Sequence, residues 1–134
     1  MDGGGYDLVV ECRRVIRHIQ LKSSHKDGKA TEQKVHARLA EKPSGCVVWT
    51  FFEPENLKLG PFLWLGNAPG QPLTVVKGFP IARHTKGNAK GFKAERPNVR
   101  VVKKSQFEHV SEMQKLSVKL FGEFEDIEIG RAHV

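Results

Sequence analysis

Cys12 and Cys46 are the only cysteines in this chain of 134 residues. Two are too few for a disulfide scaffold, and no CxxC pair suggests structural zinc. No apolar run approaches the roughly 20 residues that span a bilayer as a helix, so no membrane partner is expected. The opening, Met1-Asp-Gly-Gly-Gly, has neither a basic region nor an apolar stretch. No signal peptide is read there, and the expected location is cytoplasmic. Aromatic residues make up 8% of the chain, and Phe92 alone lies inside its most basic stretch. Stacking on single-stranded bases is therefore not indicated. Acidic residues are also scarce, 15 against 22 Lys and Arg, for a formal charge of +7. That surplus favours a polyanionic partner without proving one.

What is present is an ordinary globular balance, 39% hydrophobic and 28% charged, which argues against wholesale disorder. The length fits one domain, expected over 1–122, followed by an acidic tail over 123–134 with Glu123, Glu125, Asp126 and Glu128 against Arg131. The basic charge collects between Arg83 and Lys104. Arg83, Lys86, Lys90, Lys93, Arg96, Arg100, Lys103 and Lys104 stand there against a single acid, Glu95. Such a segment is either a solvated loop or a track for a phosphate backbone, and Arg83, Lys86, Lys90, Lys93 and Arg96 are its candidate contacts. The six histidines are scattered and show no coherent zinc spacing.

Tyr6 to Cys12 (YDLVVEC) and Val15 to Lys22 (VIRHIQLK) read as two strands, with Arg13-Arg14 as a hairpin turn. Thr31 to Leu39 reads as a helix, with Thr31 as cap and Val35, Leu39 and Ala40 at helical spacing. Cys46 to Phe52 (CVVWTFF) is a near-continuous apolar run, the mark of a central strand buried on both faces. Pro61 to Leu65 and Asn98 to Val102 read as strands, and Thr74 to Phe79 as a short one. Ser105 to Leu120 reads as a helix capped by Ser105, with Glu108 as capping-box partner. The order predicts an α+β domain, an α/β mixed sheet.

The hairpin carries the chemistry. Alternation puts Gln20 and Lys22 on one face. A turn centred on Arg13-Arg14 sets Asp7 opposite Gln20, with Cβ atoms about 5 Å apart. A carboxylate and an amide oxygen are hard donors suited to Mg²⁺, and an adjacent lysine can orient or deprotonate a water. The competing reading is a polar hairpin face, since Asp, Gln and Lys are common there.

The stretch GYDLVVECRRVIRHIQLKSS resembles the core of the PD-(D/E)XK nuclease superfamily. Gly5-Tyr6-Asp7-Leu8 matches its first half, and Gln20-Leu21-Lys22-Ser23 the second in a Q-x-K variant. The resemblance covers roughly residues 5 to 52. It implies a restriction-endonuclease-like core, a central mixed β-sheet flanked by helices. It also implies Asp7 and Gln20 as ligands of Mg²⁺ or Mn²⁺, Lys22 as the catalytic amine, and DNA rather than RNA as substrate. Two features depart from the family pattern. Only five residues precede Tyr6 where the family has a helix, and Gln20 stands where an acid is usual. The helix is then absent, supplied by a partner, or lost by truncation. The rival expectation is a non-catalytic nucleic-acid-binding or oligomerising module derived from the same fold, with a homo-oligomer hiding an uncovered sheet face.

Overall fold

A computed structural model describes residues 5–56, 58–83, 91 and 94–123. Lys86, Lys90 and Lys93 of the basic segment, and the tail beyond Glu123, lie outside the described residues. The described chain is a mixed α/β domain with a parallel and antiparallel sheet and one α-helix. None of its helices is long and apolar enough to cross a membrane.

Strands β1 (Leu8–Cys12) and β2 (Val15–His25) form the expected hairpin. Cys12 pairs with Val15 and Leu8 with Ile19, so only Arg13 and Arg14 make the turn. Both have positive φ, 50° and 72°, as a two-residue turn between twisted strands requires. That conformation is uncommon for arginine. The Arg13 guanidinium is held by the carbonyl of Phe121, 3.1 Å away.

The chain crosses over and returns as β4 (Gly45–Glu53), parallel to β2, with Gln20 opposite Val47 and Lys22 opposite Trp49. Strand β5 (Lys58–Gly66) pairs antiparallel with β4, and β8 (Glu108–Val110) with β5. The main sheet therefore runs β1-β2-β4-β5-β8 with β4 in the middle. Both faces of β4 are covered, as its apolar run predicts. Val47, Trp49 and Phe51 enter one core; Cys46 and Val48 enter the other.

The two faces are covered differently. Helix α1 (Met113–Phe121) lies on one, sealing Ile19, Val48, Phe62 and Trp64 with Leu116. A second, three-stranded sheet of β3 (Glu32–His36), β7 (Glu95–Lys103) and β6 (Ile81–Arg83) covers the other through Val35 and Val102. Where helices were expected on both faces of the sheet, one face carries a helix and the other a second sheet.

Three elements differ from the sequence reading, each for a physical reason. The helix expected over Thr31 to Leu39 is β3 followed by a 3-10 turn over Ala37–Glu41. Val35, Leu39 and Ala40 are buried as expected, but β7 satisfies the β3 backbone, with Gln33 opposite Val102 and Val35 opposite Arg100. The turn leaves no room at Gly45, where a Cβ would lie 2.6 Å from the Leu39 carbonyl oxygen. Thr74–Gly78 is a 3-10 helix that buries Val76 rather than a strand. The helix expected from Ser105 to Leu120 survives only as α1. Phe107 belongs to the core beneath the second sheet, whereas Val110 and Leu116 belong to the core beneath α1. One amphipathic helix cannot bury residues on opposite faces of a sheet, so the chain crosses the sheet edge through β8 first.

Candidate active site

The hairpin register sets Asp7 against the Q-x-K stretch. The Asp7 backbone N–H donates to the Ile19 carbonyl at 2.8 Å, extending the ladder by one residue. Its side chain then takes the next position. Asp7 Oδ2 accepts the N–H of Leu21 at 2.7 Å, where another residue of β1 would have offered a carbonyl. The carboxylate is thus exposed to solvent yet anchored at the end of β1. Its second oxygen has no hydrogen-bond donor among the described residues.

Lys22 lies on the face that meets the second sheet and is partly buried. Burial lowers its pKa below the ordinary lysine value, and the nearby Asp7 charge partly opposes the shift. No acidic oxygen lies within 4 Å of its amine among the described residues. Asp7 and Lys22 are therefore close enough to sense each other without forming a contact ion pair.

Gln20 is placed differently. It shares the Lys22 face but is only 1% exposed, covered where β3 passes into the 3-10 turn. Its Oε1 accepts the backbone N–H of His36 at 3.2 Å. The strand that stands where a helix was expected thus draws the glutamine inward. A carboxylate and an amide oxygen are hard donors of the kind Mg²⁺ or Mn²⁺ takes, but the Gln20 oxygen is turned inward onto the His36 N–H while the Asp7 carboxylate faces solvent. With one anionic ligand, most of the remaining coordination would fall to water and phosphate.

Residues near the hairpin on other grounds separate from the site. Glu11, on the Asp7 face of β1, sits opposite Ile16 at the far end of the strand. His18 packs edge-on against Tyr6, with ring centroids 5.1 Å apart, and borders a cavity of about 380 Å³ with Arg14, Ile16, Pro43, Ser44 and Gly70. This larger cavity lies toward the start of β2, away from Lys22. Ser23 is exposed. Ser24 accepts the indole N–H of Trp49 at 2.9 Å, which ties β2 to the core.

The basic segment divides. Arg83 at the end of β6 pairs with Glu95 at 3.1 Å, and Arg96 lies partly buried on β7 opposite Ala82. Arg100 is spent on the backbone carbonyls of Lys77, Phe79 and Pro97. Lys104 reaches the main sheet, its amine 5.2 Å from the Phe51 ring centre and 5.9 Å from that of Trp49. Its charge is visible in the sequence, but nothing in the spacing links position 104 to positions 49 and 51.

Among the described residues, no group of three or more His, Cys, Asp or Glu is arranged to hold a metal ion. A site built on Asp7, an amide and a backbone carbonyl falls outside that class. Compared with known proteins, the chain matches no family, no curated sequence and no solved structure.

Proposed function

We propose that this chain is a restriction-endonuclease-like domain that hydrolyses phosphodiester bonds in DNA with the help of Mg²⁺ or Mn²⁺. The observation that carries the reading is the Asp7 to Leu21 hydrogen bond. It anchors a solvent-facing carboxylate beside the peptide that links Gln20 to Lys22. The hairpin and the apolar central strand β4, which lies beside β2, agree with part of the order the resemblance implies, while the helix expected between them is β3 and a 3-10 turn.

Asp7 would hold the ion, with the Gln20 amide oxygen and the Leu21 carbonyl as further oxygens. A bound divalent cation supplies charge neutralisation at the phosphate. Lys22 acts on the water. Its lowered pKa leaves more of it as the free amine that can accept a proton than an ordinary lysine has, and its freedom from a contact carboxylate leaves its N–H groups available. In the protonated form the same amine stabilises charge developing on a phosphate oxygen. The Asp7 charge favours the protonated amine and so works against the effect of burial.

The test is cleavage of duplex, branched and single-stranded DNA by the purified chain in Mg²⁺ or Mn²⁺, with EDTA as control. Lys22→Met should reduce cutting by about a hundredfold or more with the circular dichroism spectrum unchanged. Metal-loaded wild type that leaves every substrate intact would reject the proposal, as would Lys22→Met cutting at the wild-type rate.

One observation favours a second reading, a non-catalytic DNA-binding module: the burial of Gln20 and its bond to His36. That reading predicts salt-sensitive binding that ignores Mg²⁺ and survives Asp7→Ala.

A further inference from the structure

A second cavity lies on the same face of the main sheet as Lys22, close to where β2 and β4 end. It measures about 200 Å³ and is lined by Lys26, Phe51, Pro61, Leu63, Lys104 and His109. Three of the six lining side chains are basic and none is acidic. Lys26 is paired with Glu53 at 3.2 Å. Lys104 has no ion pair among the described residues.

Lys104 is nevertheless well placed. Its backbone N–H donates to the Thr31 carbonyl at 2.8 Å, and its ammonium lies over the rings of Phe51 and Trp49. These rings stack on each other with centroids 5.4 Å apart. Aromatic faces hold a cation without consuming its N–H donors on an anion. The platform is also continuous with the candidate site. Trp49 is the register partner of Lys22, and its indole donates to Ser24, two residues further along β2 on the same face.

We propose, resting on the nuclease reading above, that Lys104, lining this cavity beside the ion-paired Lys26, is a phosphate contact for the DNA strand whose scissile bond lies at Lys22. The strand then crosses the ends of β2 and β4, not only the β6–β7 region where Arg83 and Arg96 lie. The charge of the lining supports an anionic ligand. The contrast with Arg100, whose guanidinium is used on backbone carbonyls, separates cations that build the fold from those left for a ligand.

The experiment is a salt titration of fluorescein-labelled duplex DNA binding to the full chain in EDTA, so that cutting does not interfere. Lys104→Gln should weaken binding several-fold and make the log–log salt slope shallower by about one. Lys104→Arg should retain wild-type binding, since it keeps both charge and ring contact. Wild-type affinity and slope in Lys104→Gln would overturn the proposal while leaving the nuclease reading to its own cleavage test. A wild-type chain that binds no DNA would overturn it too. Binding lost in Lys104→Gln and restored in Lys104→Arg, in a chain that never cuts, would uphold the contact site and reject the nuclease. An RNA duplex bound more tightly than DNA through Lys104 would reject DNA as the ligand.

Discussion

Strand β2 carries two desolvated cations, Arg17 buried and Lys22 partly buried, with opposite fates. Arg17 faces α1 and is 0% exposed. Its Nε donates to Leu120 at 2.7 Å, its Nη2 to Asn67 at 2.6 Å and to Lys119 at 3.0 Å, and its guanidinium stands 5.2 Å from the Trp64 ring centre. It therefore caps the C-terminal end of α1, where unpaired carbonyls attract positive charge. Lys22 faces the second sheet, is partly desolvated, and has no such set of acceptors among the described residues. Burial lowers the pKa of both. Arg17 meets three carbonyls through Nε and Nη2, although its buried Nη1 has no partner among the described residues, and a buried charge held this way serves the fold. One left with only a distant carboxylate costs stability and is retained where a ligand or a reaction uses it.

The largest effect that would separate the two is on stability. Arg17→Met should destabilise the chain by roughly 3 kcal/mol, because the carbonyls of Leu120, Asn67 and Lys119 lose their donors in a buried setting. Urea unfolding measures this. A loss no greater than that of an exposed substitution would erase the distinction.

Lys22→Met should fall within about 1 kcal/mol of wild type, or exceed it. Its pH signature has a defined sign. The folded-state pKa of Lys22 is lowered, so below that value the residue destabilises the fold. The unfolded chain binds more protons between the lowered value and the ordinary 10.5. The contribution of Lys22 to stability thus rises with pH through that window. The difference between wild type and Lys22→Met should change in that direction in paired unfolding curves. A difference that is flat with pH would show that the amine is not desolvated.

The smallest effect concerns how dry the Arg17 side is. Burial pushes the Cys46 thiol up to about 12, against which the nearby Arg17 charge works only weakly. Cys12 is partly exposed. At about pH 8, a thiol reagent should label Cys12 in the native protein and reach Cys46 only on unfolding. Equal rates at both would mean that water enters this core.

The hairpin and its register were legible because they are local. Two residues between two short β-rich runs leave one pairing, and that pairing sets Asp7 opposite Gln20. The central strand was equally legible, since CVVWTFF has no polar face to offer solvent. The failures share another cause. Glu32 to His36 holds one buried apolar residue, Val35, and its conformation is decided by β7, more than sixty residues away in sequence. The path from Phe107 to Leu116 looked helical because its apolar residues were counted as one face, whereas they serve two cores. Gln20 shows how such an error reaches the site. With β3 in place of a helix, the His36 N–H is available to take its amide oxygen.

Short-range facts follow from the order of residues alone: the paired strands, the alternation that groups Gln20 with Lys22, the buried middle strand and the surplus of positive charge. These depend on neighbouring residues and on backbone geometry that repeats every two positions. Tertiary structure alone decided which cations were used up. Whether Arg17 and Arg100 find carbonyls, whether Lys22 finds none, and whether Lys104 rests on two rings from a distant strand depend on packing between segments. No spacing along the chain encodes those contacts, because desolvation and hydrogen bonding act through space.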